Sequence, residues 1–479
     1  MNHWTRRRFL SAIPALPLVG SSLHAAPAPR GLRAGAAKAN MTLPLGANNG
    51  GVILRGGPAK QVHDELHARC LVLDDGTTQL AFVICDLRMI SRDLVDRAKQ
   101  LAAAALGWPA EHMLVAATHT HAAPGLVNIQ QGAIDRWYAD FVVLRIADAI
   151  RRAAAQLVPA RIGFGSLAKP EHVFNRRWKV KPGEAPPNPF GDTGDLVVTN
   201  PAASQSVLEP AGTVDSELSV LSVQHADGRP LAVLANYGLH YVGGYSAGSV
   251  SADYFAVFAE RLGQLLGGEA GDTPFVGMMS NGASGDVNNV NRSQAPERSP
   301  PWQKMQAVAE ELAQAAARLC RQVPYRDSVA LAVATRELEL SVRRPDEPRL
   351  RWARKVVEGI QDRDKLTRPQ VYADEAIALA ELPERVYVPL QAIRIGDLGI
   401  AAVPCEVFAA TGLEIKASST LKPTFLIELA NGYNGYLPTP EQHAWGGYET
   451  WPARSSYLEV EAAPKIRDGV LKLLASIAR

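Results

Sequence analysis

Two histidines two residues apart, His119 and His121, an isolated His240 and an isolated Glu406 are the side chains in this sequence best suited to hold a metal ion against a substrate. Zinc commonly takes imidazole nitrogen and carboxylate oxygen, and a catalytic zinc keeps one position open for water or a substrate carbonyl. His119, His240 and Glu406 can supply three such ligands. Because alternate side chains of an extended backbone point the same way, His119 and His121 would share one side, which suits a ligand with a neighbouring catalytic histidine. The competing reading is that isolated histidines complete a polar core. The dispersed set has no local fingerprint such as His-Glu-x-x-His.

These residues sit in a recurrent context, in which five apolar runs each end in a polar loop. Met113–Ala117 lead into Thr118-His119-Thr120-His121, and Leu231–Tyr237 lead to His240. Phe275–Met279 open into Ser280-Asn281-Gly282-Ala283-Ser284-Gly285-Asp286-Val287-Asn288-Asn289. Ile400–Val403 precede Pro404-Cys405-Glu406, and Phe425–Leu429 precede Asn431, Tyr433 and Tyr436. Rigid strands aim their terminal loops at a shared pocket, and loops supply the polar atoms.

The remaining pattern predicts an α/β chain in which strands and helices mix throughout. Cys70–Leu73 and Leu80–Cys85 flank Asp75-Gly76 as a hairpin, and Leu218–Val223 and Leu231–Tyr237 flank Asp227-Gly228 as another. A helix is expected between a Ser91 cap and Gly107, with Leu94, Ala98, Leu101 and Ala105 as its apolar face, and a second over about 252–266. Residues 179–212, rich in Pro, Gly, Asn and Thr, read as a long surface loop near the site, a lid or a plain excursion. Mixed-sign helical segments at 349–360 and 370–381 read as solvated outer faces. No clean linker is visible, so 43–479 is read as one large catalytic domain of mixed sheets flanked by helices.

The chain has 479 residues, 47% hydrophobic and 20% charged, with no run of ~18 apolar residues that would span a membrane. Arg6-Arg7-Arg8 before a short apolar stretch fits a twin-arginine signal peptide over 1–26, and 27–42 reads as a flexible leader. The expected location is periplasmic or secreted. Removing residues 1–25 takes away three arginines and no acid, moving the formal charge from +2 to −1. No basic stripe survives, which argues against a nucleic-acid partner. Cys70, Cys85, Cys320 and Cys405 contain no Cys-x-x-Cys pair, and burial as small apolar residues is the default expectation.

At the polar loops the chain resembles the catalytic domain of the neutral/alkaline (non-lysosomal) ceramidases, from about Leu43 to Tyr448. Ala117-Thr118-His119-Thr120-His121-Ala122-Ala123-Pro124-Gly125 is similar to that family's Thr-His-Thr-His-Ser-Gly-Pro-Gly stretch, Asn236-Tyr237-Gly238-Leu239-His240 to its second histidine block, and Pro404-Cys405-Glu406 to its Pro-Gly-Glu. Tyr436 and Tyr448 recur with its twelve-residue separation, and Phe174-Asn175-Arg176-Arg177 stands where the family has an Asn-Arg-Ser block. The resemblance implies one zinc ion held by His119, His240, Glu406 and Tyr436. It also implies that His121, Tyr448 and Arg176 face the substrate as catalytic groups.

Two departures bear on the substrate. The family's Gly-Asp-Val-Ser-Pro-Asn motif reads Gly285-Asp286-Val287-Asn288-Asn289-Val290 here, and an asparagine is no nucleophile. Asn288 and Asn289 are therefore read as substrate-orienting groups, through amide donors and acceptors. Only about thirty residues follow Tyr448, too few for the ~100-residue immunoglobulin-like domain of the true ceramidases. The expected activity is zinc-dependent hydrolysis of an amide or ester bond in a small molecule, N-acylated or esterified, with zinc generating the nucleophile from water. The rival readings are a non-catalytic metal-binding scaffold and an exported oxidoreductase; the last lacks a dinucleotide fingerprint, since Gly46–Gly57 has the wrong spacing.

Overall fold

The computed structural model describes residues 31–49, 57–127, 135–202, 205–268, 274–294, 299–363 and 365–478. The expected export signal lies outside them. Eight strands form the larger sheet: β1 (Arg33–Asn40), β2 (His67–Asp74), β3 (Gln79–Cys85), β4 (Met113–Ala117), β5 (Val158–Ala168), β6 (Glu217–His225), β7 (Pro230–Tyr237) and β8 (Val276–Asn281). Their spatial order is β8-β7-β6-β5-β1-β2-β3-β4. A second sheet holds β9 (Leu331–Ser341), β10 (Arg385–Ile395), β11 (Leu398–Ala402) and β12 (Thr424–Ile427), in that order.

Each sheet is mostly antiparallel but ends in parallel pairs, β3/β4 and β7/β8 in the first and β11/β12 in the second. A parallel pair needs a crossover, because the chain must return to the same end before the next strand starts. The crossovers are helices α1 (Arg92–Leu106), α3 (Tyr254–Leu266) and α7 (Ala409–Ser418), and α2 (Arg136–Ala155) and α4 (Gln303–Gln322) pack alongside the first two. Helices α1 and α2 cover one half of the large sheet's outer face, α3 and α4 the other half. The inner face packs on the small sheet, whose far side carries α7 and α8 (Ala462–Ser476). The result is four layers, helix, sheet, sheet, helix. Both faces of the central strands are covered, so β2 is buried at all eight positions: Cys70 and Val72 face the helices while Leu71 and Leu73 face the other sheet. Period-two alternation of polar and apolar residues is therefore absent there.

Both hairpins form with the expected strands paired. Helix α1 starts after Ser91 and stops at Gly107, whose φ of 71° is the left-handed conformation glycine adopts at low cost. Its buried face differs from expectation: Leu94, Val95, Ala98 and Ala102 pack inward, while Leu101 is 46% exposed. The stripe is rotated by about one residue, which also buries Lys99, whose ammonium donates to Asn431 Oδ1 at 2.7 Å.

The expected leader over 27–42 needs correction. Residues 33–40 are β1, in the middle of the large sheet with β2 and β5 as neighbours. Four of its eight residues are alanine and one is glycine, which carry little strand signal, but small residues suit a strand closely covered on both faces. A Cβ at Gly35 would fall 2.1 Å from the Ala153 carbonyl oxygen of α2. Of the two mixed-charge helices, α5 (Glu347–Glu358) buries only Ala353, whereas α6 (Arg368–Glu381) buries Val371, Tyr372, Ala373, Ala376 and Leu379 and is half a core helix. The 179–212 segment is largely irregular, but its Val197–Thr199 pairs with Arg177–Lys179 and is anchored to the site. All four cysteines are buried free thiols, and no helix among the described residues is long and apolar enough to cross a membrane.

Candidate metal centre

The parallel strand pairs bring their C-terminal ends together, and the polar loops meet there. The segment after β12 lies between the two far edges of the large sheet. Asn431 N–H donates to Val115 O of β4 at 2.7 Å, and Glu428 N–H donates to Asn281 O of β8 at 3.1 Å. His119 follows β4 and donates its N–H to Leu87 O at 2.9 Å. Its φ of 67° is the left-handed region that a non-glycine residue rarely occupies, and such strain collects at functional sites. A left-handed turn, rather than the extended backbone expected, makes the two imidazoles converge: the His121 and His119 Nε2 atoms lie 3.3 Å apart with the rings edge to face. His240, just beyond β7, puts its ring centroid 4.4 Å from that of His119. The ligand nitrogens of His119, His121 and His240 lie within 4.8 Å of one another.

Glu406 follows strand β11 of the other sheet. It opens a two-residue strand, Glu406–Val407, paired in parallel with Tyr436–Leu437, so that Glu406 and Tyr436 are direct partners and their side chains share a face. Glu406 Oε2 lies 3.3 Å from His119 Nε2 and 3.8 Å from His240 Nε2. Tyr433 hydroxyl holds the other carboxylate oxygen at 2.8 Å.

The hydrogen bonds around the imidazoles decide their tautomers. His119 Nδ1 lies 2.7 Å from Arg88 O and His240 Nδ1 3.1 Å from Ser284 O. A carbonyl only accepts, so each Nδ1 carries the proton and each Nε2 a lone pair. This backbone-carbonyl support is the usual second contact of metal-ligating histidines. Burial pushes His240 and His121 well below the ordinary imidazole range, which keeps both neutral. Glu406 Oε2 is buried and has no hydrogen-bond partner among the described residues. The His119 lone pair and the Glu406 carboxylate thus face each other in a dry site, and although Arg176 Nη1 approaches the His240 lone pair, the arrangement costs free energy unless a further cation sits among them. The donor set, nitrogen and oxygen at short range, fits zinc.

Arg176 is built into the wall of the centre. Its Nε donates to Glu449 Oε1 at 2.9 Å and its Nη2 to Gly285 O at 2.7 Å, and Nη1 lies 3.3 Å from His240 Nε2. Its guanidinium lies 5.4 Å from the Tyr436 ring centroid, and the Tyr436 and Tyr448 rings are 5.7 Å apart. Burial pushes the phenols of Tyr436 and Tyr448 well up, with the Glu406 charge adding to it, so both keep their protons. Of the expected ligands, His119, His240 and Glu406 converge directly; Tyr436 sits alongside Glu406. His121, expected off the metal, stands as close to the cluster as any ligand.

A cavity of about 330 Å³ opens beside His240 and Arg176 and is lined also by Tyr241, Asn200, Asn288 and Asn289. Asn288 Nδ2 donates to Asn200 Oδ1 at 2.6 Å, tying the 179–212 segment to the cavity rim. The Asn289 amide is differently committed: both its bonds go to the loop carbonyls of Tyr241 and Val242. It lines the cavity but spends its donors on the wall.

Several residues of the centre had no sequence signal of their own. Glu449 is fully buried and accepts from Arg176, Arg177 and Thr199. Glu428 is also fully buried, accepts from the Ser284 hydroxyl and from the Val407 N–H, and thereby fixes the carbonyl that orients His240. Burial pushes its carboxyl well up, and the Glu406 charge adds to this. Arg88 supplies the carbonyl that orients His119.

No protein-family model matches the chain, and no curated protein matches it. Solved structures do. A neutral ceramidase from Pseudomonas aeruginosa superposes with a TM-score of 0.68 at 18% identity, covering 94% of this chain and 75% of that one. A ceramidase complexed with C2 gives a TM-score of 0.66, with the same identity and coverage. The α/β fold that brings the three histidines together is therefore neutral-ceramidase-like.

Proposed function

We propose that this chain is an exported zinc-dependent hydrolase of an amide, or an ester, in a small molecule, with one zinc held by His119, His240, Glu406 and Tyr436. The observation that carries the reading is the buried, unpartnered Glu406 Oε2 facing two imidazole Nε2 atoms. The fold shared with ceramidases puts an amide first among the candidate bonds. The twin-arginine pattern at Arg6-Arg7 supports export to the periplasm or beyond.

Bound zinc polarises a carbonyl and brings the pKa of water toward ~7. The chain does the rest. The neutral His121 imidazole, stacked on Tyr241 with ring centroids 3.8 Å apart, would take a proton from the attacking water and pass it to the leaving nitrogen or oxygen. Tyr448 donates from its hydroxyl and Arg176 supplies a fixed positive charge where the carbonyl oxygen becomes negative; both are preorganised, so little reorganisation opposes the reaction. Asn288 has no ionisable hydroxyl, and its amide orients the substrate in the cavity.

Elemental analysis together with a panel of N-acyl and ester substrates tests the reading. One zinc per chain is expected, with turnover, and His240→Ala should lose both. Stoichiometric zinc without turnover on any substrate would instead favour a scaffold, and absence of zinc from the purified protein would sink the metal centre itself.

A further inference from the structure

Four arginines among the described residues are buried: Arg69, Arg88, Arg176 and Arg177. Three are neutralised, Arg69 by Asp86 and Arg176 and Arg177 by Glu449. Arg88, only 2% exposed, has no carboxylate partner among the described residues. Its Nη2 donates to His121 O at 3.0 Å, while Nε and Nη1 have no partner among the described residues. A guanidinium keeps its charge at neutral pH. A buried cation left without a counter-charge is costly, and structures seldom retain one without a use for it.

The surroundings say where the missing partner sits. The titratable neighbours of Arg88 are two phenols, Tyr245 and Tyr241. Tyr245 hydroxyl is likewise buried with no hydrogen-bond partner among the described residues. Tyr241 stacks on His121 and lines the cavity beside His240. Guanidinium and phenol, two donor groups near each other, therefore both lack an acceptor among the described residues, beside Tyr241, which lines the cavity. The cavity agrees in sign: Arg292 lines it, held by the carbonyls of Pro201, Ala202 and Gln205, and no acidic residue is among the lining residues.

We propose that Arg88 and Tyr245 form a subsite for a carboxylate, or an equivalent oxyanion, carried by the substrate. The substrate class is then a short N-acyl or ester compound with a negative group near the scissile bond. This rests on the hydrolase reading above for its chemistry, but not for its binding.

Two arms test it. In the first, kcat/KM is compared for N-acetyl amino acids and their neutral carboxamides. Charge-assisted hydrogen bonds support a preference of about tenfold or more for the anion, which Arg88→Met should erase and Tyr245→Phe should reduce. Equal rates for both substrates, or an unchanged ratio in either variant, overturns the proposal. In the second, the zinc-loaded protein is titrated with acetate, acetamide and inorganic phosphate, and the melting temperature is followed. Acetate should give a saturable rise that acetamide does not, lost in both variants at unchanged zinc content. A rise retained in the variants means acetate binds elsewhere and overturns the subsite; a rise with phosphate but none with acetate refers it to free phosphate and overturns the substrate class. This arm decides the subsite even if no panel substrate is turned over. Tyr245→Phe removes only an unpartnered hydroxyl and keeps the test available should Arg88→Met not fold.

Discussion

Glu449 carries the most demanding prediction, because one carboxylate neutralises two buried guanidiniums. Its Oε1 accepts from Arg176 at 2.9 Å and its Oε2 from Arg177 at 2.5 Å and Thr199 at 2.7 Å. Arg177 is 0% exposed and Arg176 6%. The two arginines hold its carboxyl below the usual range against the opposing effect of burial. Glu449→Ala would leave both cations buried and uncompensated, a change that typically costs about 3–5 kcal/mol. At roughly 2.1 cal/mol/K of unfolding entropy per residue, a chain of this size loses ~1 °C of melting temperature per kcal/mol, so a fall of about 3–5 °C is expected. The consequence for the site is separate. Arg176 would keep only Gly285 O and its approach to His240, so turnover should fall by about 10²-fold while zinc content holds. Glu449→Gln, which keeps an acceptor but removes the charge, should fall between wild type and Glu449→Ala in both respects. Calorimetry, elemental analysis and kcat on the three proteins form the assay. A Glu449→Ala variant that melts within 1 °C of wild type would refute the reasoning, since the pair would then contribute nothing.

Three further outcomes follow from particular contacts. Gly285→Ala would put a Cβ 2.5 Å from Glu406 O and 2.8 Å from its carbonyl carbon; since backbone must then shift, zinc affinity should drop at least tenfold with a stability loss of about 1–3 kcal/mol, measured by competition with a chelating dye and by urea denaturation. His67 is held down to about pKa 4 by burial, against 6.5 in the unfolded chain. Between pH 6.5 and 4 only the unfolded state takes up this proton, so its contribution is intact above 6.5 and is lost as pH falls; His67→Gln should flatten the acid-side stability slope by up to ~1.4 kcal/mol per pH unit, and parallel curves for the two proteins would contradict this. Asn288→Ala should retain zinc and change rate or substrate choice, because its amide contacts Asn200 at the cavity rim rather than the ligand atoms; zinc loss in that variant would place Asn288 on the metal.

Local chemistry in the chain determined the pieces. Turn residues and alternating apolar runs announce both hairpins, Ser91 and Gly107 bound α1, and the apolar runs ending in His119, His240, Glu406 and Tyr436 mark the loops that carry the site. Those features rest on interactions within a few residues, which a sequence displays directly. Tertiary structure alone decided the rest. Strand β1 is invisible because its alanines and glycine owe their burial to layers contributed by residues more than a hundred positions away. His119 and His121 converge through a left-handed turn held by Leu87 and Arg88, not through strand alternation. Glu449 and Arg88 were ordinary charged residues until folding removed water from around them, pairing the first with two cations and leaving the second without a carboxylate among the described residues. Charge and burial act together only once distant segments meet, and no local spacing records that meeting.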